Sequence, residues 1–326
     1  MIVVTGATGH IGNVLVRELV TRGEEVRVLI PPAEDTAPLD GLPVEIVKGD
    51  VRRLDSLVHA FRGSDIVYHL AATITILSRK SRLLHEVNVM GTRNVVEACL
   101  KSSVRRLVYT SSIHAIAEPP HGTVIDETFP FDPKRTMGEY ARSKAQSTLE
   151  VIEGVKRGLD AVIICPTGVI GPYDCRPSEM GQLMIDFAKR RLKAYIDGAY
   201  DFVDVRDVVN GHILASEKGH TGENYILSGE QITVHGLLTV LEELTGVKAP
   251  TFKVPASLAR IIAPLTPIYY SLTRTQPLFT SYAVYVLASN SLTSHDKASR
   301  ELGYSHRSSK ESIVDAINWF KENGRF

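Results

Sequence analysis

The opening stretch Met1-Ile-Val-Val-Thr-Gly-Ala-Thr-Gly-His-Ile-Gly12 constrains the fold more than any other part of the chain. Ile2 to Thr5 is apolar and β-branched, the pattern of a short buried strand. Gly6, Gly9 and Gly12 follow at intervals of three. From Ile11 the pattern turns helical, with Val14, Leu15, Glu18 and Leu19 at i, i+3, i+4 spacing. A strand, a glycine turn and a helix together make a seat for a diphosphate. The helix start offers unpaired N–H groups and positive partial charge, and glycine removes the Cβ that would keep the anion away. Dinucleotide binding requires the triplet to sit between a strand and a helix, as it does here.

The same alternation continues. Strands are expected at Glu25–Ile30, Val44–Val47, Asp65–Ala71, Arg106–Thr110 and Ala161–Cys165. Helices are expected at Leu54–Phe61, Leu83–Ser102 and Tyr140–Lys156. This order predicts an α/β fold, a doubly wound parallel sheet with helices on both faces. Beyond Pro172 the pattern changes, with helices over Pro177–Arg191, Val208–Ser216, Val234–Thr245 and Lys310–Asn323. Short strands are expected at Tyr195–Ile196, Phe202–Val205 and Asn224–Leu227. Ala256–Ser289 reads only as helical or irregular. The expected organisation is a nucleotide-binding domain over residues 1–172, joined by segments returning near 197–226. A smaller, discontinuous C-terminal lobe over 173–326 would carry the substrate.

Composition excludes several classes. Formal net charge is +0, which gives no electrostatic footprint for nucleic acid. The three cysteines form no metal pattern and suit a reducing, cytoplasmic setting. The start has no basic segment of the signal-peptide kind. The most apolar region, Val254–Leu287, is interrupted by Arg260, Pro264, Pro267, Arg274 and Pro277, so no membrane span is expected there.

Thr5-Gly-Ala-Thr-Gly-His-Ile-Gly12, Thr110-Ser-Ser112, Tyr140-Ala-Arg-Ser-Lys144 and Cys165-Pro-Thr-Gly-Val-Ile-Gly-Pro172 occur in that order. The series resembles the extended short-chain dehydrogenase/reductases, the NAD-dependent epimerase/dehydratase family. Phe202-Val-Asp-Val-Arg-Asp-Val208 and Gly222-Glu-Asn-Tyr-Ile-Leu-Ser-Gly229 are similar to its dihydroflavonol-reductase-like bacterial branch. The resemblance implies a Rossmann-type domain, an NAD or NADP cofactor and a Ser112-Tyr140-Lys144 catalytic set. It implies cofactor contacts from Gly6, Thr8, Gly9, His10, Ile11 and Gly12 at the pyrophosphate. Asp50 and Val51 would hold the adenine, Leu70, Ala71 and Ala72 the ribose, and Pro166, Thr167 and Val169 the nicotinamide. Asn88, Thr110, Tyr140 and Lys144 complete that set. It also implies a homodimer through the helices holding Asn88 and Tyr140, to which Val95, Leu100, Leu149 and Ile152 could contribute.

The chemistry of the three residues also follows from physical grounds. A phenol with an ordinary pKa of ~10 exchanges protons poorly at neutral pH. Lys144 lies four residues after Tyr140, on the same helical face, and its charge favours the phenolate. A shift of about three units would bring the phenol near neutrality. Ser112 ends a strand, where its hydroxyl can hold the reacting oxygen; Ser111 is the alternative.

At the end of the second strand a carboxylate selects NAD, and an arginine selects NADP. Pro31 stands there, with Glu34 and Asp35 nearby, a weak lean toward NAD. Ile74, Leu77, Ile113, His114, Tyr173, Met180 and Phe202 are candidate substrate contacts, favouring a ketone or secondary alcohol with an apolar body. Ile113, His114 and Ala115 replace the acidic pair that a sugar-nucleotide dehydratase needs. A sugar-nucleotide epimerase stays open. It would need basic residues for a second diphosphate, with Arg176, Lys189, Arg190, Arg191 and Arg206 as candidates. A dinucleotide-sensing regulator is a third reading, opposed by the Tyr140/Lys144 pair.

Overall fold

The structure is a computed structural model that describes residues 1–74, 81–255, 258–259, 261 and 281–326. The candidate contact Leu77 lies outside the described residues.

The first half alternates strand and helix: β1 (Ile2–Thr5), α1 (His10–Thr21), β2 (Val26–Ile30), β3 (Glu45–Lys48), α2 (Leu54–Phe61) and β4 (Ile66–His69). Next come α3 (Ser81–Leu84), a wider helical turn over His85–Met90, α4 (Gly91–Lys101), β5 (Arg106–Thr110), α5 (Glu139–Lys156) and β6 (Ala161–Pro166). The second half holds β7 (Gly168–Ile170), α6 (Glu179–Ala188), β8 (Tyr195–Ile196), β9 (Ala199–Asp204), α7 (Val205–Lys218), β10 (Asn224–Leu227) and β11 (Glu230–Thr233). It ends with α8 (Val234–Thr245), β12 (Lys253–Val254), α9 (Ser281–Ala288), α10 (Asp296–Leu302) and α11 (Ser309–Glu322).

Seven strands form one sheet in the order β10-β6-β5-β4-β1-β2-β3, and every pairing is parallel. Connections run outward in opposite directions from β1 and β4, so a crevice opens at their C-terminal ends. Alternating strand residues feed two cores. Val4, Val28, Tyr68, Val108 and Ile164 pack toward α1 and α7. Val3, Leu29, Val67, Tyr109 and Ile163 pack toward α2, α4 and α5. Ala298, Leu302 and Tyr304 join the first core, so the chain returns to the sheet beyond the 197–226 segment expected.

The other strands form a three-stranded sheet, β11-β9-β7, and a β12-β8 pair. Phe202, Ile170, Met184, Leu237, Leu238, Leu241, Ile317 and Phe320 make a third core from β7, β9, α6, α8 and α11. Two sequence expectations change here. Phe202–Val205 and Val208–Ser216 become β9 ending at Asp204 and a longer α7, because the Asp204 carboxylate caps the helix by accepting from Arg206 N at 2.8 Å. The single helix expected over 83–102 widens at 85–90 before α4. At the start of α4, a side chain on Gly91 would meet Val51 Cγ2 at 2.8 Å. Of the proposed dimer contacts, Val95 is buried, Leu100 and Ile152 pack on the second core, and Leu149 is exposed. No helix among the described residues is long and apolar enough to cross a membrane.

Asp204 also accepts from Arg206 Nη2 at 2.8 Å and from Arg307 Nη1 at 3.4 Å, and Arg206 continues to Asp315 at 2.6 Å. Its carboxylate is buried, and removing one member of a buried ion pair leaves the others unanswered. Asp204→Ala is expected to lower unfolding free energy by about 3 kcal/mol, measured by urea denaturation. A loss near zero would show that the network contributes no stability.

Candidate active site

The glycine turn is built from backbone pressed on backbone. Gly6 has φ +74°, and a Cβ there would stand 2.6 Å from Ala71 N. A Cβ on Gly12 would stand 2.0 Å from Gly6 O. Thr5 and His69, at the ends of β1 and β4, share a 2.7 Å hydrogen bond, and His69 reaches Thr92 at 3.0 Å. Burial pushes the His69 imidazole down to about 3, so it stays neutral. This turn forms the floor of a cavity of about 750 Å³ that runs along the C-terminal ends of the sheet and over β7, β9, α6 and α8.

The cavity brings together Gly6, Thr8, Gly9, His10, Ile11, Gly12, Asp50, Val51, Leu70, Ala71 and Ala72. Thr110, Ser112, Tyr140, Lys144, Pro166, Thr167 and Val169 line it too, as do Ile74, His114, Met180 and Phe202. Three expected contacts lie elsewhere. The Asn88 amide accepts from Thr73 N at 2.8 Å and donates to Thr73 O and Ser143 Oγ. It therefore ties the loop after β4 to α5, and its expected place against the cofactor is corrected to a supporting one. Ile113 is buried in the second core. Tyr173, at φ +65°, packs beneath Arg17 and against Trp319 instead of entering the cavity.

The strand-end serines separate clearly. Ser111 shares a 2.7 Å hydrogen bond with Thr148, whose own hydroxyl donates to Lys144 O. Ser112 faces Tyr140, and its Oγ accepts from His114 N at 3.2 Å. Thr110 is held by α7: His212 Nδ1 donates to Val208 O at 2.8 Å, so its Nε2 accepts from Thr110 Oγ1 at 2.7 Å. The Thr110 carbonyl is left to accept from Lys144 Nζ at 2.8 Å.

Without a nicotinamide, burial sets the titration of Tyr140 and Lys144. Burial pushes the Tyr140 phenol up to about 12, against a smaller opposite effect of Ser112, with Glu179 raising it further. Burial pushes the Lys144 ammonium down to about 8. In the protein alone, then, desolvation dominates and the phenol is protonated at neutral pH.

Sequence reasoning left the cavity residues Tyr200, Arg52 and Glu179 unassigned. His114 shares a 2.7 Å hydrogen bond with Tyr200 on β9, and Tyr200 also lines the cavity. Glu34 accepts from Thr8 Oγ1 at 2.9 Å and pairs with Arg176, which also donates to Asp35 O at 2.9 Å. Asp50 is held by Arg52 at 2.6 Å, and hydrogen bonds from Arg52 keep its carboxyl below the usual range. Glu179, the first residue of α6, lines the cavity as well. An acid directly after a capping serine is a routine helix signal, so the sequence marks its place on the helix but not the cavity it faces. Among the described residues, no group of three or more His, Cys, Asp or Glu side chains is placed to hold a metal ion.

A lysine that must be buried charged costs stability below its folded pKa. For Lys144 that cost is present below about 8 and is relieved as pH rises toward the unfolded value of ~10.4. Lys144→Met is expected to be more stable than the parent at pH 7, on the order of 2 kcal/mol, with the difference shrinking toward pH 10. Urea unfolding across that range checks this; a pH-independent difference would contradict it.

Residues 2–228 match the NAD dependent epimerase/dehydratase family. Sterol demethylase protein B of Methylococcus capsulatus is 40% identical over 327 residues, covering 98% of this chain and 98% of that protein. A Synechocystis protein named "Putative dihydroflavonol 4-reductase" is 33% identical over 325 residues, covering 98% of this chain and 94% of its own. The crystal structure of gox2253 superimposes with a TM-score of 0.88 at 33% identity, covering 100% of this chain and 99% of that one. The glycine turn, the parallel sheet and these matches along the full length make the chain a member of the NAD dependent epimerase/dehydratase family, an extended short-chain dehydrogenase/reductase.

Proposed function

We propose that the protein transfers hydride between a nicotinamide cofactor and a ketone or secondary alcohol with an apolar body. One observation carries this reading. A single cavity joins the glycine turn to Ser112, Tyr140 and Lys144 and continues over Met180, Leu183, Phe202, Leu237 and Leu238. The bare backbone at Gly6 and Gly12 suits a dinucleotide pyrophosphate, and Asp50, Val51 and Ala71 continue the same wall. When bound, the nicotinamide would supply or accept the hydride.

The chain's own residues handle the oxygen. Ser112 would donate a hydrogen bond to the substrate oxygen and orient it. Tyr140, protonated at neutral pH, would give its proton to the oxygen during reduction and take it back during oxidation. Lys144 would lower the cost of the phenolate and hold the ribose. Sterol and dihydroflavonol, in the names of the two relatives, are fused-ring bodies that suit the apolar wall.

The epimerase reading asks for cations to hold a second diphosphate. Of its five candidates, Arg176 alone lines the cavity, and it is paired with Glu34. Arg206 is paired with Asp204 and Asp315, and Arg191 lies beside Asp186. Lys189 and Arg190 are exposed beyond α6. Glu34 also favours NAD over NADP, because its carboxylate borders the cavity and occupies the nearest arginine.

With a ketone that the parent reduces, Tyr140→Phe is expected to lower kcat by about a hundredfold or more, followed by nicotinamide absorbance. Unchanged turnover would refute the role of the phenol. NADH is expected to bind about tenfold or more tightly than NADPH in fluorescence titrations; tighter NADPH binding would overturn the NAD preference.

A further inference from the structure

Three carboxylates line the cavity: Glu34, Asp50 and Glu179. Two are answered by the protein, Glu34 by Thr8 and Arg176 and Asp50 by Arg52. Among the described residues, none donates a hydrogen bond to the Glu179 carboxylate or forms an ion pair with it. We propose that Glu179 recognises the substrate, taking a hydroxyl or ammonium donor carried by the ketone or alcohol and rejecting a carboxylate at that place. This rests on the redox reading above.

A helix start by itself would explain an acid in the first turn of α6. Ser178 caps that helix through Gly181 N and is itself held by Asp174. It would not explain why this acid faces the reacting groups. Glu179 shares the cavity wall with Ser112, Tyr140 and Lys144 and with apolar Met180 and Leu183 of its own helix. Glu179 is exposed on the open side of the wall, and the protein around it raises its carboxyl by desolvation. It is near enough to Tyr140 for its charge to disfavour the phenolate. The cavity's lysine, Lys144, donates to the Thr110 carbonyl. A substrate that covers this exposed carboxylate displaces its water and must bring a donor in return. A second anion beside it would meet repulsion that grows as the bound substrate excludes water.

The probes are three tetralones that differ in one substituent: aminomethyl, hydroxymethyl or carboxylate. Each is titrated calorimetrically into the whole protein with saturating NAD, for the parent, Glu179→Gln and Glu179→Lys. The parent is expected to bind the aminomethyl probe about tenfold or more tightly than the carboxylate, with the hydroxymethyl probe between them. Glu179→Gln should cut that ratio to about twofold, and Glu179→Lys should invert it. An equal ratio in all three proteins, no charge preference in the parent, or no binding of any probe would overturn the proposal. Turnover of the same probes is read separately. A charge preference without hydride transfer would refute the redox reading and leave the recognition role standing. Turnover without charge preference would do the reverse.

Discussion

A side chain of even one carbon cannot be placed at the centre of this site. Its Cβ would stand 2.0 Å from a carbonyl oxygen at Gly12 and 2.6 Å from an amide nitrogen at Gly6. The end of β1, the start of α1 and the end of β4 therefore meet as bare backbone. That contact sets where α1 begins, and so where its unpaired N–H groups point. Asn13 extends the arrangement by donating to Gly9 O, His10 O and Tyr173 O, while His10 Nε2 donates to Pro172 O at 2.9 Å. The turn that would seat a diphosphate is in this way tied to the loop after β7, which leads into α6. The floor and the far wall of the cavity are positioned by one another.

On that floor the reacting groups are set by burial more than by mutual attraction. Tyr140 and Lys144 share a helical face, but one ammonium N–H goes to Thr110 O, on a residue whose side-chain hydroxyl His212 holds from the other side of the sheet. The protein therefore rests with a neutral phenol beside a lysine poised to lose its proton. A protonated phenol is the form needed to donate to an oxygen gaining negative charge. Positive charge added near the ring would change that balance toward the phenolate, the form needed for the reverse direction. The direction of proton transfer is thus coupled to what else occupies the cavity.

Most of the sheet was legible because parallel strands are buried on both faces and show as short apolar runs. Ile2–Thr5, Arg106–Thr110 and Asn224–Leu227 fall where their β-branched residues place them. Strands β7 and β11 were not legible. Gly168-Val-Ile170 reads as part of a loop, and Glu230–Thr233 is too short and too polar to stand out. Both are strands only because β9 lies between them to pair with. The glycines, Ser112, Tyr140 and Lys144 could be found from spacing along the chain. Asn88 and Tyr173 were placed wrongly because spacing gives a residue's position and not which neighbour satisfies its polar atoms. For Asn88 the answer is Thr73 and Ser143, and for Tyr173 it is Arg17 and Trp319. Arg176 and Glu34, 142 positions apart, form a contact that no local pattern predicts.

The charges that line the cavity narrow what it can hold. Its cations are Arg52, Lys144 and Arg176, and its anions are Glu34, Asp50 and Glu179. Arg52 and Arg176 are neutralised within the nucleotide half, by Asp50 and Glu34. A cofactor diphosphate would then rely on backbone N–H groups at the start of α1, as such turns allow. Among the described residues, the lining of the substrate half carries no cation besides Lys144, and Met180, Leu183, Phe202, Leu237 and Leu238 stand there with Glu179 and the His114–Tyr200 pair. Burial keeps His114 neutral, pushing it down to about 4, so this pair offers hydrogen bonds without positive charge. A doubly anionic substrate would give up its hydration and, among the described residues lining this half, meet one carboxylate and one lysine. A neutral or cationic substrate with an apolar body gives up little and gains the wall. The difference comes from where the salt bridges of the described lining residues close, Arg52 on Asp50 and Arg176 on Glu34.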